Sequence, residues 1–364
     1  MELFRIITML AIVAHHYVVN SGLTATAGPI YANPLSIPSI FLLLFGAWGK
    51  IGINCFVFIT GYFLCKSHVT AKKFVKLLFE VMFYRIVIYM IFYISGYTPV
   101  TLSTMVEAFL PVTAIAQNFT GTYLIFFLCI PFLNVLIHNL RETQHVYLVL
   151  LSCFIYVFFG TVKVLPVTMN YVSWYIVLYF IASYIRLYPK KIFESRVVWG
   201  WMTVASLVLA AVSVIACAWL GTVIGRNMAY FFVTDSNTFL AVLTGVSAFL
   251  FFKNIKLRYS WLINTIASTT FGVLLIHANS DAMRKWLWDD ILNNVGFFDS
   301  AWLPVHAVGS VIVIFAVCSV IDLVRIKLVE RPFLAWWDKH EERLSNSYKR
   351  FERKVFEKMN ISIK

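Results

Sequence analysis

Few ionisable residues of this sequence stand inside its apolar runs, and those few are the places where chemistry is expected. Arg5 and His16 lie in the opening run ELFRIITMLAIVAHHYVV. They are eleven positions apart, which on a helix is three turns plus about 20° and about 16 Å along the axis. Both side chains therefore share one face. His15 points about 80° away by the same arithmetic, and Asn20 lies one turn beyond His16. An imidazole takes and releases protons near neutral pH and is also a nucleophile. A structural, hydrogen-bonded histidine has the same local signature. Further along, Lys50 and Asn54 share a helix face at i, i+4, and Glu80, Arg85, His277 and Asp322 also stand in apolar segments. Glu80 and Arg85 are expected to form a structural ion pair, with each other or with neighbouring helices. His277 and Asn279 are followed by Asp281, Arg284, Trp286 and Trp288. Aromatic rings beside polar groups suit sugar faces, and they equally mark an interfacial tryptophan belt.

The elements that carry these residues are hydrophobic. The 364-residue chain is 60% hydrophobic and 13% charged, with mean hydropathy +0.80. A soluble domain carries about 25% charged residues, so this chain requires lipid as solvent. Stretches apolar enough to span a bilayer are expected at 3–21, 38–65, 75–95, 119–139, 145–163, 170–187, 198–220, 238–252, 261–278 and 303–324. The second holds Gly46, Gly49 and Gly52 beside Lys50 and is expected to break. Residues 100–116, between Pro99 and Pro111, read as a semi-buried outer loop. The opening run is retained as a mature helix rather than a cleaved leader, because His15 and His16 interrupt it.

Lys and Arg orient these spans. With the N-terminus inside, 24 of them fall on inner segments and 4 on outer loops, Lys50 and Arg85 lying at membrane depth. The net charge of +13 thus belongs to the cytoplasmic loops and tail, and no nucleic-acid partner is expected. The sequence predicts an all-α polytopic integral membrane protein of about ten transmembrane helices, with both termini cytoplasmic. Residues 1–335 form the membrane domain. Residues 336–364 form a charged tail, where Leu344, Tyr348, Phe351 and Val355 recur at helical spacing, as in an amphipathic helix lying on anionic lipid or a solvated tail. The six cysteines form no CxxC pair, and no His or Cys cluster has ligand spacing, so neither disulfides nor a metal site are expected.

The segment ELFRIITMLAIVAHH resembles the opening helix of acyltransferase family 3, which carries Arg, ten residues, then His. GKIGINCFVFITGYFL at 49–64 is similar to the family's second-helix motif, with Thr60-Gly61 where Ser-Gly is commoner. GTYLIFFLCIPFLN at 121–134 and SWYIVLYFIASYIRLY at 173–188 are family-like spans. TFGVLLIHAN at 270–279 resembles a late-helix motif, with Leu274 where Tyr is usual, and VERPF at 329–333 resembles the closing one. The family's Arg-x-x-Arg near the third helix is here Lys73-x-x-Lys76, with Arg85 deeper.

The resemblance implies an O-acyltransferase, most simply an O-acetyltransferase, of the type that modifies bacterial surface polysaccharides. It would move an acyl group from cytoplasmic acetyl-CoA or another acyl-CoA to a sugar hydroxyl of an extracytoplasmic or lipid-linked glycan. The enzyme would sit in the cell inner (plasma) membrane as a multi-pass protein. His16 would be general base or acyl-accepting nucleophile, and Arg5 would be its catalytic companion and a donor ligand. Lys73, Lys76 and Arg85 would complete the acyl-CoA site, although positive-inside bias alone also explains the lysines. His15, Asn20, Lys50, Asn54, His277 and Asn279 would face the glycan acceptor. A homo-oligomer is compatible with the sequence. The rival reading is a transporter or flippase for a lipid-linked glycan, which also needs intramembrane charge.

Overall fold

A computed structural model describes residues 1–99, 101–112, 119–162 and 170–358, without the side chains of 344, 347–349 and 351–358. Lys163 and the stripe formed by Leu344, Tyr348, Phe351 and Val355 thus lie, in whole or as side chains, outside the described residues. All regular structure among the described residues is helical.

The chain runs through α1 (Glu2–Val19), α2 (Ile37–Phe45), α3 (Gly49–Leu64), α4 (Ala71–Ile94), α5 (Leu102–Phe109), α6 (Phe119–Asn139) and α7 (Glu142–Thr161). It continues through α8 (Tyr171–Leu187), α9 (Arg196–Ile224), α10 (Phe239–Lys253), α11 (Trp261–His277), α12 (Asp281–Phe297), α13 (Leu303–Arg325) and α14 (Arg331–Lys358). Among the described residues every expected span overlaps helix, but the count of full-length spans is smaller. Among the described residues, seven helical segments, with α2–α3 and α13–α14 each counted as one, are long and apolar enough to cross a bilayer, and the α11–α12 pair makes eight if it is one bent span. In α8 and α10 the apolar helix has only 17 and 15 residues, or about 26 and 23 Å. These two face protein more than lipid: Trp174, Tyr175, Leu178, Tyr179, Phe249 and Leu250 are wholly buried. Residues 101–112 hold α5 rather than an irregular loop, and most of that helix is exposed.

In lipid each span must satisfy its own backbone groups, and the sequence supplies the ends. The side chains of Thr70, Asn170, Ser195, Ser260 and Ser280 accept from the backbone N–H three residues on, capping α4, α8, α9, α11 and α12. The expected break in the second span falls at Gly46–Trp48, between α2 and α3. Its glycines serve close packing on α1. A Cβ on Gly49 would stand 2.2 Å from the His15 ring, and one on Gly52 would stand 2.7 Å from Ile12.

α1 is central. Met9, Ile12, Val13, Tyr17 and Val18 join one buried cluster with residues of α2, α11 and α13, while Phe4 joins a second built on α3, α6, α8 and α10. The outward faces are apolar, as Val305, Ile312, Val313 and Val320 of α13 show. A single π turn, Ile326–Glu330, joins α13 to α14, so helix runs uninterrupted through residues 335 and 336.

Candidate active site

The site forms where the end of α1 meets the end of α11. His277 closes α11 and is wholly buried, while His16 is half-buried. Nδ1 of His16 lies 2.9 Å from Nε2 of His277, and Nδ1 of His277 lies 2.6 Å from the Val273 carbonyl one turn back. These contacts order the protons. A carbonyl only accepts, so Nδ1–H of His277 donates to Val273. Neutral His277 then accepts at Nε2, so His16 donates from Nδ1. The lone pair of His16 is left on Nε2. Such an imidazole is a base or nucleophile at one defined atom, and a second imidazole stabilises its charged form.

His15 is turned elsewhere: its Nδ1 donates to the Gly46 carbonyl at 2.5 Å, in the break between α2 and α3. Its ring is 5.8 Å from that of His16. The ring of His16 is oriented by His277, and the Asn20 amide, one turn beyond it, donates no hydrogen bond to it. The Asn20 amide nitrogen is buried with no partner among the described residues.

The chain bends by 95° between α11 and α12. The turn folds α12 back over the histidines, so that the buried Trp288 packs perpendicular to His277, with ring centroids 6.3 Å apart. Lys50 and Arg284 act electrostatically on His16 from opposite sides in sequence. Lys50 also donates to the Tyr171 hydroxyl at 2.9 Å. Asn279 donates to the Leu275 carbonyl beside the bend. Asn54 does not join this group. Its amide donates to the Ser236 and Ala241 carbonyls, and its oxygen accepts from Trp174, so it ties α3 to α8 and α10 with every polar atom engaged.

Arg5 lies at the other end of α1, pairs with Glu2 at 3.2 Å and is about one-third exposed. Its charge reaches Tyr123. The Thr60 hydroxyl donates to the Phe56 carbonyl, so Tyr123 donates to Thr60, at 2.8 Å. The Thr60-Gly61 pair thus has two jobs: the hydroxyl receives Tyr123, and a Cβ on Gly61 would stand 2.9 Å from Ala182 of α8.

The expected donor residues are not one cluster. Lys73 donates to the His68 carbonyl, and Lys76 pairs with Glu330 at 2.8 Å. Arg85 lies nine residues beyond Lys76, about 13 Å along α4, and donates to the Glu107 carbonyl in the last turn of α5. It caps that helix end and pairs with Glu80 no more than it joins the lysines.

Glu80 pairs with a neighbouring helix, one of the two expected alternatives, in a buried network whose centre, Arg325, sequence reasoning missed. Arg325 bridges Glu80, Asp322 and Glu330 at 3.0, 2.7 and 2.7 Å, and Tyr84 donates to Asp322 at 2.7 Å. Arg325 reads in sequence as one more cytoplasmic charge, yet it is 3% exposed. The signals available were the glutamate of VERPF and the glycine of TFGVLLIHAN. Gly272 is where a Cβ would stand 2.2 Å from the Asp322 carboxyl. Among the described residues no group of three or more His, Cys, Asp or Glu side chains is arranged to hold a metal ion.

Apolar helical spans packed around a hydrogen-bonded histidine pair define a multi-pass membrane protein. The family model for the acyltransferase domain, Acyl_transf_3, matches residues 1–323, and the chain belongs to that family. It is a membrane acyltransferase. No curated protein and no solved structure matches it.

Proposed function

We propose that the protein is an acyl-CoA-dependent O-acyltransferase, with acetyl-CoA as donor and a sugar hydroxyl of an extracytoplasmic or lipid-linked glycan as acceptor. The observation that carries this reading is the Val273–His277–His16 chain, which leaves Nε2 of His16 as a directed base. The acceptor oxygen attacks the thioester carbonyl carbon as its proton passes to Nε2. The carbonyl electron pair moves onto oxygen, then returns as the C–S bond breaks. The departing thiolate takes the proton from His16, giving an ester and CoA thiol. Direct attack by Nε2 on the thioester carbon uses the same atom: CoA thiolate is expelled and an acyl-histidine forms. The acceptor hydroxyl then attacks that acyl group to give the ester and free His16, its proton passing to the thiolate.

The donor's phosphates fit the basic end expected at the cytoplasm, near Arg5 and Lys73, with Lys76 available by exchange of its Glu330 partner. Arg85 is left out of the donor site. His15, Lys50, His277 and Asn279 surround the acceptor end, with Asn20 above His16, and Asn54 holds the helices beneath it. We place residues 1–335 in the inner membrane and residues 336–364 in the cytoplasm, with the N-terminus also inside.

The test is turnover of acetyl-CoA by purified protein in detergent. His16→Ala is expected to cut acyl transfer at least about 10³-fold while CoA still binds. Wild-type rates in that variant would remove His16 from the chemistry. Absence of CoA binding by folded wild-type protein would favour the flippase reading, since a flippase has no use for CoA.

A further inference from the structure

Building on the reading of His16 as the base, the geometry points to Arg284 as the residue that binds the acyl carbonyl oxygen and stabilises the oxyanion it becomes. Three hydrogen-bond donors on the segments that meet at the histidine pair, the end of α1 and α12, are buried with no partner among the described residues: Nε of Arg284, Nε1 of Trp288 and Nδ2 of Asn20. All three are donors, so the group that completes them is an acceptor. Buried donors are rarely left unpaired, and these three lie on the two segments that the fold brings together at the candidate base, where an acyl oxygen gains negative charge.

Arg284 is the strongest of the three. The 95° bend after His277 turns α12 back toward α1. Trp288 packs on both His277 and Tyr17, with centroids 6.3 and 6.0 Å away. Arg284 precedes it by four residues, about one turn, and so lies near the same side of α12. Its charge acts on His16 and His277 together. The guanidinium is also oriented. Nη1 pairs with Asp281 at 2.9 Å, the two side chains being 40% and 98% exposed, so this contact lies at the rim while the Nε edge is buried and is left for the site. A planar guanidinium presents fixed N–H donors to a carbonyl oxygen. Donors set in place before charge develops lower the barrier selectively. In the transfer step, the carbonyl π pair moves onto this oxygen as the acceptor C–O bond forms, and leaves it again when the C–S bond breaks. Arg284 donates throughout and gives up no proton.

The experiment measures thiol release from acetyl-CoA by the detergent-purified full chain with water as acceptor, together with CoA affinity. Arg284→Ala is expected to lower kcat by about 10²–10³-fold, with CoA affinity changed less than about threefold. Arg284→Lys keeps the charge without the planar fork and is expected to lose at least about tenfold. Guanidinium ion in the buffer is expected to restore part of the Arg284→Ala rate and none of the His16→Ala rate. Arg284→Ala within twofold of wild type, or a loss confined to KM, overturns the assignment and leaves His16 as base if His16→Ala is dead. Loss of CoA binding in both Arg284 variants overturns it in favour of a structural role. Wild-type protein that releases no thiol overturns the acyl-CoA reading and this assignment with it.

Discussion

The histidine pair is a residue-scale device whose logic resembles a catalytic triad with a backbone carbonyl at its far end. His277 sets the tautomer of His16, and in the proposed mechanism it shares the charge that forms when Nε2 is protonated. His277→Ala is expected to lower acyl transfer by about 10²-fold or more, because His16 then has no partner for Nδ1–H and both tautomers compete. His277→Gln offers an amide oxygen to the same N–H and is expected to recover part of that loss. Steady-state rates with acetyl-CoA for the two variants check this. Equal activity in wild type and both variants would reduce the pair to packing.

At the scale of the helices, the α1–α3 contact positions the site. Gly46, Gly49 and Gly52 let α3 approach α1, and His15 occupies the room above Gly49. Gly49→Ala pushes a methyl group into a ring held by the Gly46 carbonyl. It is expected to cost at least about 1–3 kcal/mol, seen as a lower Tm in detergent, and to reduce activity by shifting α1. Gly309→Ala is the control. A Cβ there meets nothing within 4 Å, and Ala favours helix by up to about 1 kcal/mol, so stability is expected to hold or rise. Equal Tm changes in the two variants would show that the contact on α1 is not tight.

For the whole molecule, the Arg325 network ties α4, α13 and the π turn together. One guanidinium contacts three carboxylates, and Lys76 adds a second cation at Glu330. Removing the centre of a buried ionic cluster is costly because the charges left behind stay desolvated. Arg325→Ala is expected to destabilise by about 3–5 kcal/mol, appearing as aggregation during size exclusion in detergent or a large fall in Tm. Arg325→Lys cannot span three carboxylates and is expected to rescue little. At the exposed end Lys72 pairs with Asp338 of α14 at 2.5 Å. Lys72→Ala is expected to change stability by less than about 1 kcal/mol, and a fall as large as that of Arg325→Ala would mean that the tail helix, not the buried cluster, holds this end.

The sequence by itself determined what depends on neighbours in the chain. Hydropathy marked the helices, including the glycine-rich break after Phe45. Helical periodicity put Arg5 and His16 on one face, and the motifs between residues 2 and 333 pointed to the acyltransferase family. Other features depended on packing between distant segments. His277 is 261 positions from His16, and nothing local to either ring says which nitrogen faces which. Trp288 reads as a residue of an interfacial tryptophan belt, and only the 95° bend seats it on His277. Asn54 reads as a polar group open to a ligand, but three carbonyl and indole partners from α8, α10 and the segment before α10 consume it. Arg325 reads as cytoplasmic charge, although carboxylates from three segments bury it. Periodicity fixes the side of a helix on which a residue lies, whereas its partner depends on how other helices pack against that side. The chemistry of a buried polar group follows from the partner.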